Sequence, residues 1–309
     1  MANIKRINGR LMQSFFQNRR MKGWYEVDQA IYAAAYEKFG GSVLTHPVSL
    51  NAIAAMVGLP MQFFAFGEGA DLQAVIPVWK KWLAGSKRGL KQTSRQGIVD
   101  FGNAELILPI AATSPIKLPV QVDNLSALHM ANISNLKPST MDICLAKAPS
   151  EFSKKFRYNR KRELRLLHEQ GGIIRTVDSM SNAELAGVYT RLFELRWGFK
   201  PKGYQQLEQL LGYLRPLLFG SVIEMEGKAI AIQLVYKVEC PSHISMEYIN
   251  GGVDPAYKSL SSGSVLTYIN TQQAWELSKA QGKTLRYSFG KADNEYKDRW
   301  CCRSAVYSV

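Results

Sequence analysis

An α+β fold with a mixed sheet flanked by helices is what this sequence predicts, and three features predict it. The second half runs strand, helix, helix, three consecutive β-rich segments, loop, helix, strand. The first two of those β-rich segments meet at a tight turn around Gly227-Lys228, so they pair antiparallel. The 309 residues are 46% apolar, which is enough to bury one large core or two ordinary ones.

The first 25 residues carry six basic side chains (Lys5, Arg6, Arg10, Arg19, Arg20, Lys22) and no acid, with Ile4, Ile7, Leu11 and Phe15 at helical spacing. This is either a basic amphipathic helix lying on an anionic bilayer or a terminus whose apolar stripe docks on its own domain. From Val27, "VDQAIYAAAYEKF" has apolar spacing of three and four and stops at Gly40-Gly41, as a helix does; a second helix is expected over Ser49–Val57. "MQFFAFGEGADLQAVIPVW" sets two apolar runs around Gly67, Gly69 and Asp71, a hairpin signature. Residues 84–103, rich in Gly, Ser and Lys, read as loop, and 109–149 alternates apolar and turn residues without a clear period. A domain boundary is expected at Ala148–Ser150, dividing an N-terminal α/β lobe, 1–149, from a C-terminal domain, 150–309.

Beyond it, "EFSKKFRYNRKRELRLLHEQGG" predicts a helix over about Ser150–Gln170 with a seam of Phe152, Phe156, Leu164 and Leu167. "IIRTVD" is a strand. Ser181 with Glu184 forms a capping box that opens the next helix, and "YQQLEQLLGYL" is another. "SVIEME", "AIAIQLVYKVE" and "HISMEYING" are the three β segments, "GSVLTYINTQQAWELSKAQG" is a helix stopped by Gly282, and "LRYSF" is a strand. A weak echo links "MQFFAFGEGADLQAVIPV" to "FGSVIEMEGKAIAIQLVY", as a duplicated domain or two unrelated hairpins would.

Thirty-nine basic against twenty-five acidic residues leave +14, a surface that attracts nucleic acid, anionic lipid or lipopolysaccharide phosphate. Four cysteines without CxxC spacing and four scattered histidines suggest neither a metal site nor a disulfide framework; Cys301 and Cys302 read as a reduced core thiol beside an exposed one, in a cytosolic compartment. No run reaches the ~18 apolar residues of a membrane span, since the closest, Ala52–Gly67, contains Pro60 and Gln62. No signal-peptide core follows the basic start.

The unit from His243 to Ala280, followed by "YSFGKADNEYKDRW", resembles the carboxy-terminal lobe of GNAT-type acyltransferases. It is most similar to the branch holding the FemAB aminoacyl transferases, where a strand leads into a phrase like "FGxxxxxYKxRW". Over its whole length the sequence resembles the bacterial Mig family, named for macrophage-inducible genes. That family is linked to antimicrobial-peptide resistance and associated with the inner-membrane periphery. The resemblance implies a GNAT-like (FemAB-type) mixed sheet in 150–309 and, through the echo, two tandem GNAT-like lobes, the first degenerate. It implies acyl-CoA or aminoacyl-tRNA as donor substrate, an anionic glycolipid or lipopolysaccharide precursor as acceptor partner, and a cytoplasmic location peripheral to the inner membrane.

In that fold the donor's pyrophosphate lies on backbone amides at a helix N-terminus. The matching frame here is Lys258, Ser261, Ser262, Gly263 and Ser264, with Ser261 standing where the family has a glycine and so making the left-handed backbone less accessible. These serines also suit plain helix capping. Transfer needs a base and an oxyanion donor. On "HISMEYING" the alternation puts Ser245, Glu247 and Ile249 on one face, and Glu247 is the carboxylate nearest the centre of a strand expected to line the cleft. Glu247, Tyr296 and Asp293 are the candidate catalytic residues, and Lys297 and Arg299 the phosphate ligands beside them. Without that fold, Tyr296 and Trp300 simply pack at i and i+4. Arg160 and Arg162, in a helix with seven basic residues, are candidates for phosphate contact with tRNA or lipid, or a solvated face.

Three functions therefore stand open. The first is an acyl or aminoacyl transferase that modifies an envelope glycolipid at the cytosolic face of the inner membrane. The second is a DNA-binding regulator using Ser49–Val57 and the basic helix, against which Pro60 interrupts any second helix after Val57. The third is a catalytically inactive GNAT-like binder of lipid phosphate.

Overall fold

The computed structural model describes residues 21–112 and 115–309. Apart from Lys22, the basic opening segment lies outside these residues. The described chain opens on a small antiparallel sheet, ordered β1 (Trp24–Val27), β2 (Gln62–Phe66), β3 (Ala74–Trp79), β4 (Trp82–Leu83). Two helices, α1 (Gln29–Phe39) and α2 (Pro47–Val57), pack near it. α2 begins two residues before the expected Ser49 because Pro47 suits a first turn and the His46 ring accepts the Val48 N–H. It ends at left-handed Gly58 and leads into β2, so no second helix follows it as a helix-turn-helix would need.

Residues 84–103 are not all loop. Ser86 accepts the Gly89 N–H and opens a short helix, α3 (Lys87–Gln92). A cap is a single-residue signal easily lost among glycines and lysines.

The main sheet has nine strands among the described residues: β5 (Leu125–Ser126), β6 (Lys137–Ala146), β7 (Ile173–Thr176), β8 (Leu218–Phe219), β9 (Ser221–Met225), β10 (Lys228–Glu239), β11 (His243–Val253), β12 (Thr284–Lys291) and β13 (Cys301–Ser308). Their order is β5-β13-β6-β12-β11-β10-β9-β7, with β8 also on β10. The expected break at Ala148–Ser150 falls just after β6, at a 3-10 turn over Pro149–Glu151, and β5 and β6, which precede it, lie in the same sheet as β7–β13. β9, β10 and β11 are consecutive and antiparallel, as the sequence predicts.

Helices α4 (Lys154–Glu169) and α7 (Ser262–Gln281) cover one face. There Val265, Leu266 and Ile269 bury against Leu167, Ile223 and Ile230. The other face packs on α5 (Asn182–Trp197), α6 (Leu207–Leu214) and the N-terminal lobe, through Leu185, Leu192, Ile232 and Tyr236 in a core shared with Leu106 and Val122. A last short helix, α8 (Glu295–Asp298), joins β12 to β13.

β11 and β12 run parallel, with α7 as the crossover such a pair requires, and they are in register from His243–Thr284 to Glu247–Ser288, where their pairing stops. Both strands are then irregular. β11 carries an extra residue, Ile249, opposite Leu234 and Val235, and β12 shifts register between Ser288 and Lys291 around Gly290 at φ 69°. Bulges bend strands, and these two part the strand ends.

Candidate active site

Where β11 and β12 part, a cavity of about 270 Å³ opens. Its walls come from Tyr248 on β11, Phe289 on β12, Gly263 and Ser264 at the start of α7, and Tyr296, Arg299 and Trp300 in the stretch around α8. Arg196, at the end of α5, closes one side.

The start of α7 is built for an anion in part. Ser261 adopts φ 50°, ψ 31° as the N-cap residue, the left-handed conformation a glycine would take without strain. Its carbonyl accepts the Ser264 and Val265 amides at 2.8 and 3.0 Å. The amides of Ser262 and Gly263 find no backbone acceptor among the described residues, and Gly263 lines the cavity. The helix dipole reinforces that N–H, and the guanidinium groups of Arg196 and Arg299 add two full charges. This arrangement suits an anion such as a phosphate group. Lys258 does not line the cavity; it is exposed on the preceding 3-10 turn.

A buried polar relay fixes this helix end to the sheet. Gln233 on β10 donates to the Thr267 hydroxyl at 2.8 Å and accepts from the Asn270 amide at 2.8 Å, and Asn270 accepts the Ser221 N–H at 3.1 Å. The close approach of α5 is made by glycine: a Cβ at Gly252 would sit 2.2 Å from the Leu192 carbonyl carbon. Arg196 donates to the Gly251 carbonyl at 3.1 Å, which holds it at the rim.

Tyr248 and Tyr296 both line the cavity. Burial pushes the Tyr248 hydroxyl up to about 12, the nearby Tyr296 adds to it, and Arg196 opposes. Tyr248 is therefore a hydrogen-bond donor at neutral pH. Tyr296 and Trp300 do lie at i and i+4 in one aromatic cluster, and both also line the cavity.

Two of the three candidate catalytic residues are elsewhere. Glu247 is 1% exposed and lies on the face opposite Tyr248, as the alternation requires, but the cavity opens on the Tyr248 side. Its carboxylate accepts the Glu105 N–H at 2.7 Å, and burial, then the Glu105 charge, pushes it well above the usual carboxylate range. Asp293 points at Lys297, whose ammonium donates to it at 3.1 Å and to the Lys291 carbonyl at 2.6 Å. Burial opposes ionisation of Asp293, but the Lys297 contact prevails and holds it low. Lys297 is 8% exposed, a strut inside the turn and not a ligand at the cavity.

On α4, Arg160 lies over the Phe156 ring at 5.2 Å and pairs with Glu163 at 2.7 Å, so it is engaged internally, while Arg162 is exposed. Lys154, Lys155 and Lys161 are exposed with it, around a Tyr158 that is 66% exposed. Cys301 is buried and Cys302 exposed, as expected. The described residues contain no group of three or more His, Cys, Asp or Glu arranged to hold a metal, and no described helix is long and apolar enough to cross a membrane.

Sequence reasoning passed over Arg196, Gln233, Tyr248 and Phe289. The one signal that could have found the region is Gly251-Gly252 inside a strand, which marks a close backbone approach.

The Mig-14 family model matches residues 46–309. No curated protein matches the chain. Among solved structures, the chain is similar to FemX (TM-score 0.54, 11% identity, covering 92% of this chain and 96% of that one). It is also similar to L-PGS from Bacillus licheniformis (TM-score 0.48, 14% identity, 92% and 91%). A third is the C-terminal domain of a putative lysylphosphatidylglycerol synthetase from Agrobacterium fabrum (TM-score 0.47, 10% identity, 91% and 92%). The FemX likeness shows the fold, a mixed sheet flanked by helices as in that protein.

Proposed function

Since this chain belongs to the Mig-14 family and has a FemX-like fold, we propose that it is an acyl or aminoacyl transferase. Its acceptor is an envelope glycolipid, a lipopolysaccharide or its precursor, met at the cytosolic face of the inner membrane. Capping that acceptor's negative charge weakens the binding of cationic antimicrobial peptides, in keeping with the resistance to which the family is linked.

The observation that carries the reading is the cavity at the parting of β11 and β12, where an open helix-start amide, two guanidinium groups and two tyrosines converge. The donor's phosphate sits on the Gly263 amide with Arg196 and Arg299, placing its acyl carbonyl towards Tyr248 and Tyr296. An acceptor amine or hydroxyl attacks that carbonyl, Tyr248 donates to the developing oxyanion, and the bond to the leaving group breaks. Tyr296 gives its proton to the leaving thiolate of coenzyme A or 3′-oxygen of tRNA and regains one from the acceptor. Glu247 and Asp293 take no part in this scheme, since neither lines the cavity.

Of the two donors, aminoacyl-tRNA is the better fit. Only part of the helix-start amide row is open, and the exposed cations of α4 flank Tyr158, a surface for a phosphate backbone and a stacked base.

The test is mass spectrometry of lipopolysaccharide from cells with the wild-type protein, with Arg299→Ala and Tyr296→Phe variants, and with none. A mass increment that requires the protein and both side chains supports the reading. An unchanged lipid, together with peptide resistance that survives Tyr296→Phe, overturns it in favour of a phosphate-binding protein without catalysis.

A further inference from the structure

A second, larger cavity of about 450 Å³ lies between α3 and the end of β12, outside the donor site. Three of its cations come from α3: Lys87, Arg88 and Lys91. The fourth, Lys291, comes from β12. The lining holds one carboxylate, Asp123, already paired with Arg88 at 3.0 Å. Lys87 donates to the neutral Asn103 at 2.9 Å, and neither Lys91 nor Lys291 has a carboxylate partner among the described residues. Three ammonium groups therefore face one space without an anion to balance them.

The placement of Lys291 is constructed by the backbone. In a regular strand it would share a face with Tyr287 and Phe289, which pack in the cluster on the helix side of the sheet. The register shift between Ser288 and Lys291, with Gly290 in the left-handed region, turns it to the opposite side. Phe289 thus lines the donor cavity and Lys291 the second one. Backbone close to Gly102 and Asn103 spans the parted strands, with Gly102 against Ile249 and Asn103 against Gly290.

We propose that this cavity binds a phosphorylated sugar, as the head of the acceptor; the word acceptor rests on the transferase reading, whereas the binding chemistry does not. The ammonium groups suit a phosphate monoester, the amides of Gln92 and Asn124 suit sugar hydroxyls, and Leu44 and Leu106 offer an apolar patch for a ring face.

The test is calorimetric titration of the full chain with glucose 1-phosphate and with inorganic phosphate. It compares wild type, Lys91→Ala/Lys291→Ala, the milder Lys91→Gln/Lys291→Gln, and Arg299→Ala, each checked for an unchanged melting temperature. The expected result is saturable binding of glucose 1-phosphate that both lysine pairs weaken at least tenfold and Arg299→Ala leaves in place, with inorganic phosphate binding more weakly at the same lysines. No saturable binding to wild type, or binding lost through Arg299 instead, overturns the site. Equal affinity for both ligands overturns the sugar assignment. Cosedimentation with vesicles carrying lipid A separates the sources: loss in the lysine variants supports a lipid head, and retention there with loss of glucose 1-phosphate binding overturns the lipid acceptor in favour of a soluble phosphosugar. If titration holds while no donor binds and no transfer occurs, the transferase reading fails and the site stands.

Discussion

The backbone N–H of Glu105 donates to Oε1 of Glu247 at 2.7 Å, while the carboxylate of Glu105 is itself held by the Arg286 guanidinium. This contact ties the segment before β5 to the centre of β11, and all three side chains are largely buried.

Burial, then the Glu105 charge, makes folded Glu247 keep its proton to higher pH than an unfolded glutamate, which releases it near pH 4.3. The folded protein therefore binds the extra proton, and Glu247 lowers stability progressively as pH rises from about 4.3 toward its raised folded value. Glu247→Gln keeps the acceptor and removes this dependence. Urea unfolding at pH 5 and pH 8 should show a smaller loss of stability between the two for Gln than for wild type. Glu247→Leu, which orphans the Glu105 amide, should cost about 1–3 kcal/mol at either pH.

Gly252→Ala places a Cβ against the Leu192 backbone, which cannot yield without moving α5. We expect a loss of about 1–3 kcal/mol in denaturant unfolding. Because α5 carries Arg196 to the cavity rim, donor affinity should fall with it.

Within the cavity, Arg299→Ala should weaken binding of coenzyme A or aminoacyl-tRNA by roughly tenfold or more, as loss of a charged hydrogen bond does. Tyr296→Phe should leave donor binding within about twofold and reduce turnover about 100-fold, the lower range for proton transfer by a placed side chain. Equal loss of binding in both variants would contradict the division of roles.

Ser261→Gly relieves a left-handed serine and should raise stability by about 1 kcal/mol, measured by thermal and urea unfolding, with donor affinity equal or improved. A destabilised glycine variant would mean that the serine side chain contributes something beyond its backbone.

Much of the fold is legible locally. The Gly40-Gly41 and Gly282 stops, the Ser181 cap and the three antiparallel strands β9–β11 are written in short-range spacing and appear where that spacing puts them. Of the expected helix start, Gly263 and Ser264 line the cavity together with Tyr296 and Trp300, whereas Ser261 and Ser262 do not. What was not legible depends on pairing across long separations. β13 and β6 find each other 160 or so residues apart, and no local pattern announces it. The face of β11 that meets solvent depends on which side the N-terminal lobe covers, so alternation separated Glu247 from Tyr248 correctly without saying which one reaches the cavity. Asp293 and Lys297 read as site chemistry in sequence because their mutual bond and the one to the Lys291 carbonyl are turn geometry that no local pattern announces.

β6, from the first half of the sequence, lies between β12 and β13, so the two halves share one sheet. A fragment comprising only 150–309 would leave a strand-wide slot in its sheet, with bare hydrogen-bonding edges on either side that invite self-association. Co-expressing residues 1–149 as a separate chain should fill that slot and rescue solubility, so split-protein complementation, not domain truncation, is the natural way to dissect this molecule.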